Sequence, residues 1–387
     1  MRYLFIILIS FLSNNLWARE TAIPVFVSGT EGHKSYRIPA IIRSNNGDLL
    51  AFAEGRVNGV GDFGDINIVL KRSNDQGKTW SPLLTVVDYD KLQAGNPAPV
   101  LDLLDPDYPK GKIFLFYNTG NNNEGEVRNG NGLREVWYKT SVDEGRSWSE
   151  PVNITLQVHK PNQSNINPSY NFKDDWRHYA NTPGHALQFT ALPYRGRIYV
   201  AANHSEGTPQ KNDNDYFAHG FYTDNHGLSF KLSETVGLPG SNECSAAELS
   251  NGGLMLNARN QKGDIRARIV AISKNGGENW DSIYFDTLLP DPVCEGTILN
   301  IGIKKGKRVL AFCNAADTKE RNNLTLRIST DEGNSWPLSY PVDKNPGNKK
   351  SSYTAYSDIV KISKNKIGVL YEKDNYSQIV FKVVKWK

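Results

Sequence analysis

The sequence predicts an all-β chain folded as a six-bladed β-propeller of four-stranded antiparallel sheets. Two features predict it: a turn motif that recurs five times, and a composition rich in strand aromatics and glycine. The 387 residues include 18 Tyr, 15 Phe, 8 Trp and 33 Gly. That mixture suits many short strands packed through aromatic side chains and joined by glycine-bearing turns. The length admits one large all-β domain or two ordinary ones, and the 39% hydrophobic content is normal for a soluble globular chain.

The repeat is Ser/Thr-x-Asp/Asn-x-Gly-x-Ser/Thr/Asn-aromatic. It occupies Ser73 to Trp80, Ser141 to Trp148, Thr223 to Phe230, Ser273 to Trp280 and Ser329 to Trp336. Its residue types describe a hairpin turn. The Asp or Asn oxygen accepts backbone amides, Gly permits positive φ, and the aromatic packs back on the hairpin. The starts lie 68, 82, 50 and 56 residues apart, which suits one four-stranded unit per repeat with long insertions in the second and third. Strand-like runs flank the boxes at Ile66 to Lys71, Lys112 to Tyr117, Arg197 to Ala202, Arg308 to Phe312 and Ile367 to Tyr371. The segment Tyr353 to Trp386 has strands but no box, and it can complete a sixth blade by pairing with a strand near Val25. The Asn-rich stretches Thr119 to Gly132 and Val158 to Asn181 are expected as loops walling a binding site.

Residues 1–18 carry Arg2, an apolar run from Tyr3 to Leu12 and a small residue, Ala18, before Arg19. They are expected to be a signal peptide, which makes the product secreted or periplasmic and leaves 19–387 as one domain. No later stretch is apolar for long enough to span a membrane. The three cysteines, Cys244, Cys294 and Cys313, exclude a disulfide scaffold. Cys294 and Cys313 could pair across neighbouring strands or stay as buried thiols. The formal charge of +4 is close to balance and comes without a block of like charges, so no nucleic-acid surface is expected. No His, Cys, Asp or Glu cluster has metal-ligand spacing, so neither a metal nor another cofactor is expected. A monomer is expected.

Tyr36-Arg37-Ile38-Pro39 near the start, the five boxes, and Ala355-Tyr356-Ser357-Asp358 near the end together resemble the bacterial and animal exo-sialidases over essentially the whole chain after residue 18. The resemblance implies hydrolysis of terminal sialic acid from sialylated glycans, glycoproteins or glycolipids, with retention of configuration through a covalent tyrosyl intermediate. It maps an arginine triad that grips the substrate carboxylate onto Arg37, Arg259 in Asn257-Ala258-Arg259, and Arg327 in Leu324-Thr325-Leu326-Arg327. Converging guanidinium groups suit that task because they stay charged and bind carboxylate bidentately. Arg266 and Arg268 compete with Arg259 for the second place. Arg56 is assigned a contact with the sugar away from its carboxylate.

The resemblance makes Tyr356 the nucleophile, Glu243 its base, with Glu248 as the local rival, and Glu372 the holder of Arg37. A tyrosine makes physical sense here. Sialic acid bears its carboxylate on the anomeric carbon, so a carboxylate nucleophile would be repelled, whereas a neutral phenol is not. The general acid is expected at Asp62 on the glycine-rich loop after Gly55-Arg56, with Asp65 as its rival. His185 is expected to be structural or at the rim. Two other functions fit the same boxes: transfer of sialic acid to another sugar, and a non-catalytic propeller that binds glycans.

Overall fold

Each box closes its turn as its residue types dictate. In the computed structural model, which describes residues 21–347 and 352–387, Asp75 Oδ1 accepts the Lys78 and Thr79 amides, both at 3.0 Å, and Oδ2 accepts the Thr79 hydroxyl at 2.6 Å. The Ser73 hydroxyl donates to Asp75 and accepts the Gly77 amide, each at 2.8 Å. Asp143 and Asp331 repeat this hydroxyl-and-amide grip, and Asn225 and Asn275 each hold one amide. The expected signal segment, residues 1–18, lies outside the described residues.

The box glycines also make room between units. A Cβ on Gly77 would lie 2.1 Å from the Phe381 ring, one on Gly145 2.7 Å from Leu50, and one on Gly333 2.5 Å from Met255. Each of these partners belongs to the neighbouring four-strand unit. The same segment therefore shapes a turn and seals a seam, and Trp80 edge-on to Phe381 at 5.5 Å completes one such seam.

All five strand-like runs form strands, within Ile66–Ser73, Lys112–Gly120, Ile198–Glu206, Lys307–Ala315 and Lys366–Lys373, except that Arg197 stands just before its strand. Antiparallel pairing builds a β-propeller from five hydrogen-bonded sheets: three of four strands, one of five and one of eight. The expectation of six separate four-stranded blades is corrected by this pairing, since only four of the sheets stand as single blades. The eight-stranded sheet holds two four-strand units, Ser35–Arg43 through Leu84–Val87 and Gln93–Asp102 through Val152–Asn153. A parallel pair, Ile66 with Gln93, stitches them together. The connection across 88–92 is so short that the start of the next inner strand is held against Ile66.

The inner strands Ser35–Arg43, Gln93–Asp102, Ser241–Glu248, Gly296–Lys304 and Thr354–Ser363, with Trp176–Asn181 and Leu187–Gln188, pack side by side into a closed ring. Closure comes from Ile23–Val27, which pairs with Gln378–Lys385 and joins the start of the described chain to its end. Burying that edge removes a template for unwanted strand pairing. All three cysteines are buried free thiols, and no helix among the described residues is long and apolar enough to cross a membrane.

Beneath the third unit lies a buried group of His159, His204 and His219 with Trp176 and Tyr179. The Trp176 ring stacks on His204 at 3.5 Å, His204 Nδ1 lies 3.0 Å from His219 Nδ1, and neither ring nitrogen of His159 has a partner. Burial holds all three well below the usual histidine range, reinforced by repulsion from neighbouring histidines and, for His204 and His219, from Lys160. A depressed folded value means that protonation favours the unfolded chain. Stability is therefore full above about pH 6.5 and falls as pH drops below it, by roughly 1–2 kcal/mol per histidine at pH 5. Urea unfolding at pH 7 and pH 5 should show His159→Phe losing less stability over that interval than the wild type. An equal loss would exclude this cluster as an acid-sensitive element.

Candidate active site

Five of the inner strands are interrupted by a bulge at the same end of the propeller. Register slips between Arg37 and Ala40, Gly95 and Ala98, Trp176 and Tyr179, Ser241 and Cys244, and Thr354 and Ser357. A bulge bends its strand and re-aims the side chains beside it. Here these include Arg37, Asn96, Glu243 and Tyr356, and all four line one cavity at the mouth of the ring. Ile38 has φ 57°, a strained value for a β-branched residue. It is held there by a 3.0 Å bond from its amide to Glu372 Oε1. The boxes end the third strands of their units, and those strands start beside the cavity, so boxes and cavity lie at opposite ends.

Tyr356 and Glu243 meet across 113 residues, with the phenol hydroxyl 2.7 Å from both carboxylate oxygens. Arg259 Nη1 donates to that hydroxyl at 3.0 Å and to Glu243 Oε2 at 2.7 Å. Burial and the Glu243 charge push the Tyr356 phenol well above its usual value, against the pull of Arg259 and Arg321. The phenol is therefore neutral and already aimed at its proton acceptor.

Arg37 is fixed by Glu372, whose fully buried carboxylate accepts Arg37 Nε at 2.6 Å and the Tyr356 amide at 3.2 Å. Burial works against the Arg37 charge, but Glu372 outweighs it and keeps the group ionised. Arg37 also lies 4.0 Å from the Tyr376 ring centre. Arg56 is held by Glu54 Oε2 at 2.7 Å, and it donates to the Val60 carbonyl at 2.6 Å and to Asp62 at 2.7 Å. Asp62 reaches over the cavity with its side chain 78% exposed. Its partial burial raises its pKa, but Arg56 and Arg37 more than offset this and hold it below the usual carboxylate value.

Arg327 is a correction. It stands on Leu324–Ser329 opposite Phe312 and Ser339, bonds Asn314 Oδ1 at 3.3 Å, and does not line the cavity. The strand begins at the cavity end, and three residues along it carry Arg327 about 10 Å away. The arginine that joins Arg37 and Arg259 beside Tyr356 is Arg321, in the loop just before that strand. It lies 5.4 Å from the Tyr356 ring centre and donates to the Tyr376 hydroxyl at 3.2 Å.

The other rivals also fall into place. Arg268 is buried on Asp291 and Asn257, Glu248 is tied to Arg308 at 2.6 Å, and His185 pairs with Asp358 at 2.6 Å. Neither Asp65 nor Arg266 lines the cavity, whereas Asp62 and Arg259 do. The cavity also exposes Glu54, Gln93, Glu124, Arg134, His178 and Asn203, which sequence reasoning missed. A signal existed for three of them, because Glu124 and His178 fall in the two Asn-rich stretches and Arg134 follows the first. Burial and Arg134 push His178 down to about 3.

Among the described residues, Asp102, Asp105 and His226 form the only group spaced to hold a metal ion. They lie at the box end, where Lys112 pairs with Asp105 and Gln188 donates to Asp102 at 2.6 Å, so the carboxylates already have partners.

The BNR repeat-like domain family matches residues 38–369. A sialidase of Micromonospora viridifaciens is 30% identical over 366 residues, covering 89% of this chain and 51% of its own length. A sialidase of Bacteroides fragilis is 27% identical over 404 residues, covering 98% and 67%. The chain thus spans about half of the first and two thirds of the second. A solved Hadza microbial sialidase superposes with a TM-score of 0.78 at 25% identity, over 94% of this chain and 68% of its own.

Proposed function

As this chain belongs to the BNR repeat-like domain family, we propose that it is an exo-sialidase, which hydrolyses terminal sialic acid from sialylated glycans with retention of configuration. One arrangement carries this reading: three arginines, Arg37, Arg259 and Arg321, surround a tyrosine hydroxyl that Glu243 and Arg259 already hold. The arginines take the sugar carboxylate and so place the anomeric carbon over Tyr356 Oη. Export is proposed with it, on the strength of the apolar run from Tyr3 to Leu12.

Chemistry follows in two displacements. Tyr356 Oη bonds to the anomeric carbon as its proton passes to Glu243, and the bond to the leaving oxygen breaks as Asp62 protonates that oxygen. Water then attacks the same carbon with the Asp62 carboxylate as base, and Tyr356 leaves with the proton from Glu243. Two inversions give net retention. Asp62 must be protonated to begin, whereas Arg56 and Arg37 favour its ionised form. The substrate carboxylate supplies the change by neutralising Arg37 and by covering the loop, both of which raise the Asp62 pKa.

Purified protein should release 4-methylumbelliferone from its sialoside between pH 4 and 8, and no release at any of these values would refute the proposal. Arg321→Ala should lower kcat/KM about 100-fold, the loss expected for a charge-assisted pair of hydrogen bonds, while Arg327→Ala stays within about threefold. The reverse order would return the third arginine to position 327. Asp62→Ala should cost far more on a natural sialyl-lactose than on the aryl sialoside, whose leaving group hardly needs a proton. Equal losses would remove Asp62 from that role, and a selective loss in Asp65→Ala would move the acid by three residues.

A further inference from the structure

Opposite the arginine trio the cavity has a second polar wall, built from Arg134, Gln93, His178, Glu54 and Glu124. Arg134 is 3% exposed and feels the charges of Glu124 and Glu54 on the same wall, but it is hydrogen-bonded to neither. Its only hydrogen bond runs from Nη1 to the Asn122 carbonyl at 3.0 Å. Room for the guanidinium comes from Gly120, its strand partner, where a Cβ would lie 1.6 Å from Nη1. Beside it, the buried Gln93 Oε1 and His178 Nδ1 have no partners either. All three side chains line the cavity. Buried polar groups are normally paired, so a buried guanidinium with free donors beside a free acceptor is poised for a ligand that supplies both.

Ring geometry names the part of the ligand. In a pyranose of this class, carbon 5 stands directly across the ring from the anomeric carbon. With the anomeric carbon over Tyr356 and the carboxylate on Arg37, Arg259 and Arg321, the carbon 5 substituent points to the far wall, where Arg134 and His178 stand on the second and third units. We propose, resting on the sialidase reading, that Arg134 with Gln93 and His178 receives this substituent and selects one ending in a hydroxyl over N-acetyl. A hydroxyl both accepts from Arg134 and donates to Gln93. A methyl end does neither and would cover charged donors without replacing their water. The aliphatic side chains lining the cavity are Ile38, which sits beside Arg37, and Ala180. Neither builds an apolar pocket for a methyl group.

The test is kcat/KM on three 4-methylumbelliferyl glycosides that differ only at carbon 5: acetamido, glycolylamido and hydroxyl. The glycolylamido and hydroxyl substrates should each exceed acetamido about tenfold, and Arg134→Leu should erase or invert that ratio. A ratio measured on one preparation is independent of the fraction correctly folded, so misfolding of the variant cannot imitate the result. If acetamido equals or exceeds either of the others in the wild type, or if Arg134→Leu leaves the ratio unchanged, the inference is overturned while the sialidase reading stands. Failure to cleave all three overturns the sialidase reading, and the inference with it.

Discussion

The Tyr356 hydroxyl, held between the Glu243 carboxylate and the Arg259 guanidinium, is the contact on which the rest of the site depends. A phenol in water titrates near 10 and is a weak nucleophile at neutral pH. Here it is kept neutral by burial and by Glu243, so its proton has one direction to travel. Arg259 touches both oxygens and is placed to stabilise the phenolate character that develops as the proton leaves. Without the ring of inner strands these three groups, from positions 243, 259 and 356, would have no common meeting point.

Glu372 ties this contact to the fold. Its carboxylate is fully buried and bonds Arg37, the Ile38 amide and the Tyr356 amide. One side chain, 335 residues after Arg37, thus links the first inner strand to the last and holds the strained Ile38 backbone. Buried charge is costly unless it is fully partnered. The partners spent on Glu372 are the groups that must be positioned, so the cost of burial is offset by order in the site. The bulges at Arg37, Asn96, Glu243 and Tyr356 do the rest, by turning side chains of regular strands toward the axis.

Much of the fold was legible because the box residues specify a turn through local bonds, and the strands beside the boxes follow from apolar runs between turns. The number of separate blades was not. It depends on a tight connection across 88–92 that lets Ile66 pair with Gln93, and no local pattern announces a single parallel bridge. At the site, Arg37, Asp62, Glu243, Arg259, Tyr356 and Glu372 were pointed to by the family resemblance that short motifs carry, and the structure brings them together. Arg327 was misplaced because the motif around it describes a strand, whereas the cavity draws on the loop before that strand, where Arg321 stands. Arg134 was missed for a related reason. A lone arginine after a polar loop looks like a solvated surface residue, and only the packing against Gly120 shows it buried.

The most direct test of the central claim is covalent capture. The enzyme is treated with a 3-fluorosialyl fluoride, which slows hydrolysis of the glycosyl-enzyme, then digested and mapped by mass spectrometry. The account predicts one glycosylated residue, Tyr356, with labelling strongly slowed in Glu243→Gln. A label on any other side chain, or turnover of the reagent with release of the inverted anomer first, would contradict it.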